Sequence, residues 1–379
     1  MPWKAVSTMS LREEFVTRAL AEEAEMSSLC REYGISRKTG YKWMARYLAE
    51  GSKGLEDRSR RPHHSPGRTP ETIERVVLDA REQYPAWGGR KLKRRLEDLG
   101  YSEIPEPSTI TEILRRHGRL DPEESAKRRA YQFFEMSKPN ELWQMDFKGD
   151  FVLGNGDRCY PLGILDDHSR FLIGLQACLD QTEDTVRTHL TACFRTYGLP
   201  DRMLMDNGSP WGGNLDTYYT ALGIWLLRHG VCISHGRPYH PQTQGKEERF
   251  NRTLDSEHLS RITYGDVFDC QDGFLHYRTL YNYERPHEAL GLDTPAAHYQ
   301  PSLRPFPETL PPLVFPDGAA VRKVDDSGRC SYLNHRLRVG KAFRDLPVGI
   351  LPDELEDGII HIFFNDILIR SFDLALEAC

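Results

Sequence analysis

No stretch of the sequence approaches the roughly 18 to 20 apolar residues that a membrane helix needs. The first segment, MPWKAVSTMSLREEFV, lacks the apolar core of a secretion signal. A membrane partner is therefore not expected, and the chain reads as cytoplasmic. The eight cysteines are scattered singly, with no C-x-x-C pair. They suit neither a disulfide framework nor a thiolate zinc site and read as small buried hydrophobes. A G-x-x-x-x-G-K-[ST] loop is also missing, so nothing calls for ATP.

What is present is globular. The 379 residues are 39% hydrophobic, 10% aromatic and 28% charged, enough for a sizeable core. At roughly 150 residues per domain, that length suggests two to four domains. The net charge of -6 conceals an asymmetry: residues 1–135 hold 26 Lys and Arg against 22 Asp and Glu (+4), leaving 24 against 34 (-10) for the rest. The split permits a nucleic-acid-binding front half without requiring one.

Over residues 1–50, LREEFVTRALAEE and MSSLCREYGI read as two helices. Ser36 suits the cap of a third, SRKTGYKWMARYLAE, that stops at Gly51. This is a helix-turn-helix pattern, with Arg37, Lys38, Thr39 and Lys42 on the first turns of the recognition helix. A plain three-helix bundle has the same spacing. Residues 51–69 read as a basic linker whose Arg58, Arg60 and Arg61 are suited to follow a DNA groove. Residues 70–120 read as a second helix-turn-helix or winged-helix-like unit, its third helix capped by Ser108. In its middle helix, Arg90, Lys91, Lys93, Arg94 and Arg95 are dense enough that DNA phosphate is the expected partner.

From residue 140 the period changes. In LWQMDFKGDFVL, Gln144 and Asp146 fall on one face and Trp143, Met145 and Phe147 on the other, which predicts a half-buried strand. Asn155-Gly156 supplies a hairpin turn, RCYPLGILDD and RFLIGLQAC complete a meander, and alternating helices and strands follow. Residues 136–300 thus read as one α/β unit. After a proline-rich connector, the short alternating segments of 313–379 suggest a small all-β barrel of five or six strands.

Three acids stand out: Asp146 inside a strand, Asp206 at the end of RMLMD, and Glu248 early in a helix after PYHPQTQG. Hard divalent cations take such oxygen ligands. Singly, each acid also suits a solvated surface. Asp166 or Asp167 reads as a cap for the turn to Arg170.

From Trp143 to about Tyr299 the chain resembles the integrase catalytic core of bacterial insertion-sequence transposases, a DDE-type superfamily that includes retroviral integrases. The resemblance rests on WQMDF, LDDHSRFLIG, MDNGSP, SHGRPYHPQTQGKEERFNRTL and YNYERPHEALGLDTPAAHY, in that order. It implies a multidomain chain: helix-turn-helix units, an RNase H-like α/β core and a small β-barrel. It further implies an acidic triad of Asp146, Asp206 and Glu248 holding two Mg²⁺ ions, with Mn²⁺ able to substitute. Glu248 stands three after Gly245, as in the family motif, but Glu247 is a rival. Adjacent helical residues point about 100° apart, and helical geometry alone does not choose between them.

By the same resemblance the enzyme is a DNA transposase. It binds terminal inverted repeats, hydrolyses the 3′ phosphodiester, and joins the freed 3′-OH to target DNA, as a homo-oligomer on paired ends and in association with the nucleoid. Gln244, Lys246, Arg249 and Asn251 are expected to touch DNA beside the metals. Tyr283, Arg285 and His287 match a motif after the core without an evident role. Two other readings of the chain are a catalytically idle DNA-binding regulator derived from a transposase and a structure-selective nuclease on the same scaffold.

Overall fold

The computed structural model describes residues 8–21, 25–58, 69–120, 136–212, 218–236 and 245–375. They belong to two units, Met1–Arg68 and Thr69–Cys379.

The first unit contains α1 (Thr8–Ala19), α2 (Met26–Glu32) and α3 (Arg37–Glu50). The Ser36 hydroxyl accepts the Thr39 backbone N–H at 3.2 Å and so caps α3, which the local sequence predicted. Phe15, Val16, Leu29, Cys30, Trp43 and Leu55 form its core. At Gly40 a Cβ would stand 2.7 Å from Cys30 Sγ and 2.9 Å from the Phe15 ring, so glycine lets α3 cross its neighbours closely. Leu55 belongs to a 3-10 turn, Gly51–Leu55. The start of the expected linker is therefore folded onto this unit.

The second unit begins with α4 (Glu71–Gln83), α5 (Gly89–Asp98) and α6 (Pro107–Arg116), packed around Val77, Trp87, Leu92, Leu96, Ile110 and Leu114. Ser108 does not cap α6: the helix already starts at Pro107, a residue pre-set for that position, with Glu106 before it.

The core sheet follows. β1 (Trp143–Phe147), β2 (Phe151–Val152), β3 (Arg158–Asp166) and β4 (Leu172–Cys178) are antiparallel neighbours around β3, and β5 (Arg202–Met205) and β6 (Cys232–His235) extend the sheet in parallel from β1. Trp143, Met145 and Ile164 pack with α7 (Glu183–Tyr197) and α8 (Ala221–Arg228). Leu165 and Leu172 lie in the cluster that includes α9 (Gly245–Glu257) and α10 (Val267–Tyr283). Both faces of β1 are thus covered, and Gln144 is fully buried rather than solvent-facing.

Among the described residues β4 pairs only with β3, and α10 satisfies its other edge. Asn282 accepts Leu172 N–H at 2.8 Å and donates to Leu172 C=O at 3.0 Å, and Gln271 accepts Ala177 N–H at 2.9 Å. The helix fastens itself to an edge that would otherwise present unpaired backbone groups.

The C-terminal segment has the expected six strands. β7 (Ala320–Lys323), β10 (Pro347–Pro352), β11 (Ile359–Phe364) and β12 (Ile367–Asp373) form one antiparallel sheet in the order β12-β11-β10-β7, and β8 (Arg329–Tyr332) and β9 (His335–Arg338) form a hairpin. No closed barrel exists among the described residues. Instead Ile224 and Leu227 of α8 join Val348, Ile350, Ile362 and Phe364 in one cluster, so a core helix covers the apolar face that barrel closure would have buried. No described helix is long and apolar enough to cross a membrane.

Replacing Asn282 by Ala leaves the Leu172 backbone groups buried and unpaired. The expected loss is about 1–3 kcal/mol of stability, read as a lower urea midpoint. An unchanged midpoint would show that the β4 edge does not need α10.

Candidate active site at the end of the core sheet

Parallel pairing sets Met145 opposite Met205, so Asp146 and Asp206 are the next residues of two adjacent strands running the same way. Asp146 remains within β1, opposite Gly163 of β3, whereas Asp206 has left β5 and is exposed. An added Cβ at Gly163 would lie 3.1 Å from the Phe250 ring, so this glycine lets α9 approach the sheet beside Asp146. Asp146 Oδ2 accepts a hydrogen bond from Asn251 Nδ2 at 3.3 Å. Burial, then the charge of Asp206, pushes the Asp146 carboxyl up to about 6.

The first turn of α9 carries the next acids. Glu247 is 3% exposed and lies on the same stripe as Phe250 and Leu254. Its Oε1 is buried without a hydrogen-bond partner. Burial, followed by the charges of Asp146 and Asp206, raises this carboxyl well above its ordinary value. Glu248, about 100° further round the helix, is exposed and pairs with Arg252 at 3.5 Å. Of the two adjacent glutamates, Glu247 is the one buried within the field of Asp146 and Asp206, while Glu248 faces solvent beside Arg252. The buried spacing 247, 250, 254 is the sequence signal for that rotation.

Lys246 explains how α9 is held. Its Nζ lies 2.5 Å from Asp167 Oδ2, with the two side chains 10% and 0% exposed. It is a buried internal partner, which corrects the expectation of a DNA contact. Asp167 also accepts Gln144 Nε2 at 2.6 Å and Met136 N–H at 2.9 Å. Asp166 is the turn cap, accepting the Ser169 backbone N–H at 2.8 Å and its hydroxyl at 2.6 Å. Asn251, read earlier as a DNA contact, instead faces Asp146. Arg249 is exposed, and Gln244 lies outside the described residues.

The other expected DNA contacts divide similarly. On α3, Arg37, Lys38 and Lys42 are exposed, while the Thr39 hydroxyl is within 2.9 Å of Ser36. Lys42 lies 4.3 Å over the Trp43 ring, which Arg12 and Arg46 also approach. Arg58 pairs with Glu50, and Arg60 and Arg61 lie outside the described residues. Most cations of the basic helix α5 have acidic partners within the chain. Lys91 pairs with Glu257, Lys93 with Glu106, Arg94 with Asp98 and Asp293, and Arg95 with Glu284, leaving Arg90 as its one fully exposed cation among the five.

The donor chemistry suits a hard divalent ion. Burial and the neighbouring aspartate charges raise the proton affinity of Asp146 and Glu247, and one buried carboxylate oxygen, Oε1 of Glu247, has no hydrogen-bond partner. Among the described residues no three His, Cys, Asp or Glu groups stand close enough to enclose an ion as they are. A nearby cavity of about 320 Å³, lined by Lys148, Asp150, Asp255 and Tyr264, contains none of these acids. Asp206 and Glu248 are exposed, whereas Glu247 is buried.

Sequence comparison matches an integrase core domain over residues 136–241 and again over 229–295. A helix-turn-helix domain matches 11–63, a homeodomain-like domain 39–114, and the C-terminal domain of IS481 family transposases 319–378. An insertion element IS476 protein of Xanthomonas euvesicatoria is 28% identical over 243 residues, 62% of this chain and 66% of that protein. The transposase for transposon Tn552 of Staphylococcus aureus is 24% identical over 388 residues, covering 90% of this chain and 78% of that one. The HTLV-2 integrase catalytic core in complex with magnesium aligns with 43% of this chain and 99% of that chain, at 14% identity and a TM-score of 0.34.

Glu247 supplies a pH prediction. Because its folded pKa is above the ordinary 4.5, the penalty is absent below pH 4.5 and grows as pH rises through the folded value, where the unfolded chain has already lost its proton. Glu247→Gln should therefore stabilise the metal-free protein at pH 7–8 and not at pH 4, as followed by urea denaturation. A gain of equal size at both pH values would mean that the carboxyl is not held in a raised state.

Proposed function

We propose, for a chain that belongs to the integrase-core transposases of bacterial insertion sequences, that Asp146, Asp206 and Glu248 bind divalent metal for DNA cleavage and strand transfer. The observation that carries this reading is the side-by-side exit of Asp146 and Asp206 from parallel strands, where burial and then the charge of Asp206 raise the Asp146 carboxyl. Asp206 and Glu248 are exposed on the rim that DNA must approach. The surface pair between Glu248 and Arg252 is worth at most about 1 kcal/mol, so little holds Glu248 back.

Two magnesium ions bound by these carboxylates would neutralise charge on the reacting phosphate and favour a deprotonated oxygen nucleophile. The remaining work belongs to the chain. Asn251 orients Asp146 through its amide, and Lys246 on Asp167 fixes the rotation of α9. Glu247, beneath the rim, has its carboxyl raised well above the ordinary range by burial and then by the charges of Asp146 and Asp206, so adding negative charge to the metal-free site is costly there. Water attacks the phosphorus at the element end, the P–O3′ bond breaks, and the freed 3′-OH then displaces a 3′ oxygen in target DNA. The helical units bind the terminal inverted repeats, with the exposed Arg37, Lys38 and Lys42 of α3 facing DNA, and copies of the chain assemble on paired ends. The chain works in the cytoplasm, at the nucleoid.

A second reading of the metal site has a specific observation in its favour: Glu247, with its unpartnered Oε1, is the acid nearest in effect to both aspartates. Thermal unfolding with Mn²⁺ separates the two. Glu248→Gln should lose the metal-induced rise in Tm while Glu247→Gln keeps it; the reverse pattern assigns the metal to Glu247.

Asp146→Asn should abolish Mg²⁺-dependent nicking and joining of terminal-repeat DNA while leaving binding nearly unchanged. Undiminished turnover in that variant would overturn the proposal. Wild-type binding without any nicking would favour an idle regulator, and nicking without joining a nuclease.

A further inference from the structure

The second helical unit meets the core at the far end of α9. Glu257, the last residue of that helix, has an 8% exposed side chain enclosed by three donors. Arg285 grips it with Nε at 2.8 Å and Nη2 at 2.7 Å, Trp87 Nε1 lies at 3.3 Å and Lys91 Nζ at 3.5 Å. Arg285 belongs to the core and follows α10, whereas Trp87 and Lys91 belong to the helical unit, on and just before α5. Its guanidinium lies 5.4 Å from the Tyr281 ring. Around this centre Arg95 pairs with Glu284 and Arg94 with Asp293, and Leu280 packs on the helical core.

The energetics separate the two halves of the clamp. A buried bidentate Arg–carboxylate pair holds Glu257 in the charged form even without Lys91. Burial alone would raise the Glu257 carboxyl, but Arg285 and Lys91 outweigh it and hold it at about 2. Lys91 is the strained member, pushed down to about 8 by burial and by Arg285. Removing one partner of a buried pair is costly when it leaves the other charge uncompensated, but here Arg285 still pairs with Glu257 at 2.8 and 2.7 Å if Lys91 is removed. What Lys91 alone supplies is a charged contact from α5 to the end of α9.

We propose that Lys91 is a positioning residue: through Glu257 it couples the second helical unit to α9, so that DNA held by that unit sets the helix carrying Glu247 and Glu248. This deepens the transposase reading and rests on it. Lys91, Arg94 and Arg95 of α5 thereby link the helical unit to the core.

Full-length wild type, Lys91→Met and Lys91→Arg test the idea on terminal-repeat DNA. In Lys91→Met, affinity and its salt dependence stay unchanged, while kcat for joining falls roughly 10- to 100-fold at constant KM, the scale of a small misplacement of reacting groups. Lys91→Arg, still able to reach Glu257, restores most of that loss. Amide exchange over Gly245–Glu257, measured without DNA, rises in Lys91→Met and not in Lys91→Arg. The proposal is overturned if Lys91→Met lowers the log–log salt slope by about 1 while bound DNA turns over normally, since Lys91 would then be a phosphate contact. Unchanged exchange along α9 overturns it as well. An inactive wild type would count against the transposase reading alone, because the exchange measurement judges the clamp independently.

Discussion

Carboxylates repel one another, and this chain gathers several at one end of a sheet. Asp146 and Asp206 leave neighbouring parallel strands side by side, and α9 brings Glu247 up from below with Glu248 at the rim. Burial first, and the neighbouring carboxylate charges second, raise the Asp146 and Glu247 carboxyls, so both are costly to ionise in the metal-free site. The surrounding fold holds the acids in place despite that cost. The sheet is covered on both faces, α9 packs close over Gly163, and Lys246 on Asp167 fixes the rotation of its first turn.

The elements around the site were legible in the sequence because each has a local cause. Ser36 caps α3, the alternation of Trp143, Met145 and Phe147 gives a strand, and the order of strands and helices gives an α/β core. What was not legible depends on partners far along the chain. Gln144 reads as solvent-facing until Asp167 and a second covering layer are known. Ser108 reads as a cap, though Pro107 starts the helix one residue earlier. The C-terminal strands read as a barrel because a sequence cannot disclose that α8 will cover their apolar face.

Charge was the least transferable signal. Counting Lys and Arg on α5 predicted phosphate, yet four of its five cations face acids of their own unit or of the core, including Glu257, Glu284 and Asp293. Lys246 was misread in the same way, since its buried partner lies 79 residues away. Glu247 was visible as a rival from its place in the 247, 250, 254 stripe, but only packing shows which way the helix turns. The motif position of Glu248 and the burial of Glu247 thus describe two sides of one helix: one exposed to solvent, one buried.

The central claim is that acids far apart in the sequence together bind divalent metal at the end of the sheet. Substituting Fe²⁺ for Mg²⁺ and generating hydroxyl radicals with ascorbate and peroxide would cut the backbone wherever the ion sits, and mass spectrometry would map the cuts. The account predicts cleavage in three separated segments, around Asp146, around Asp206 and at the start of α9, all suppressed by excess Mg²⁺. Cuts confined to one segment, or located away from all three, would contradict it.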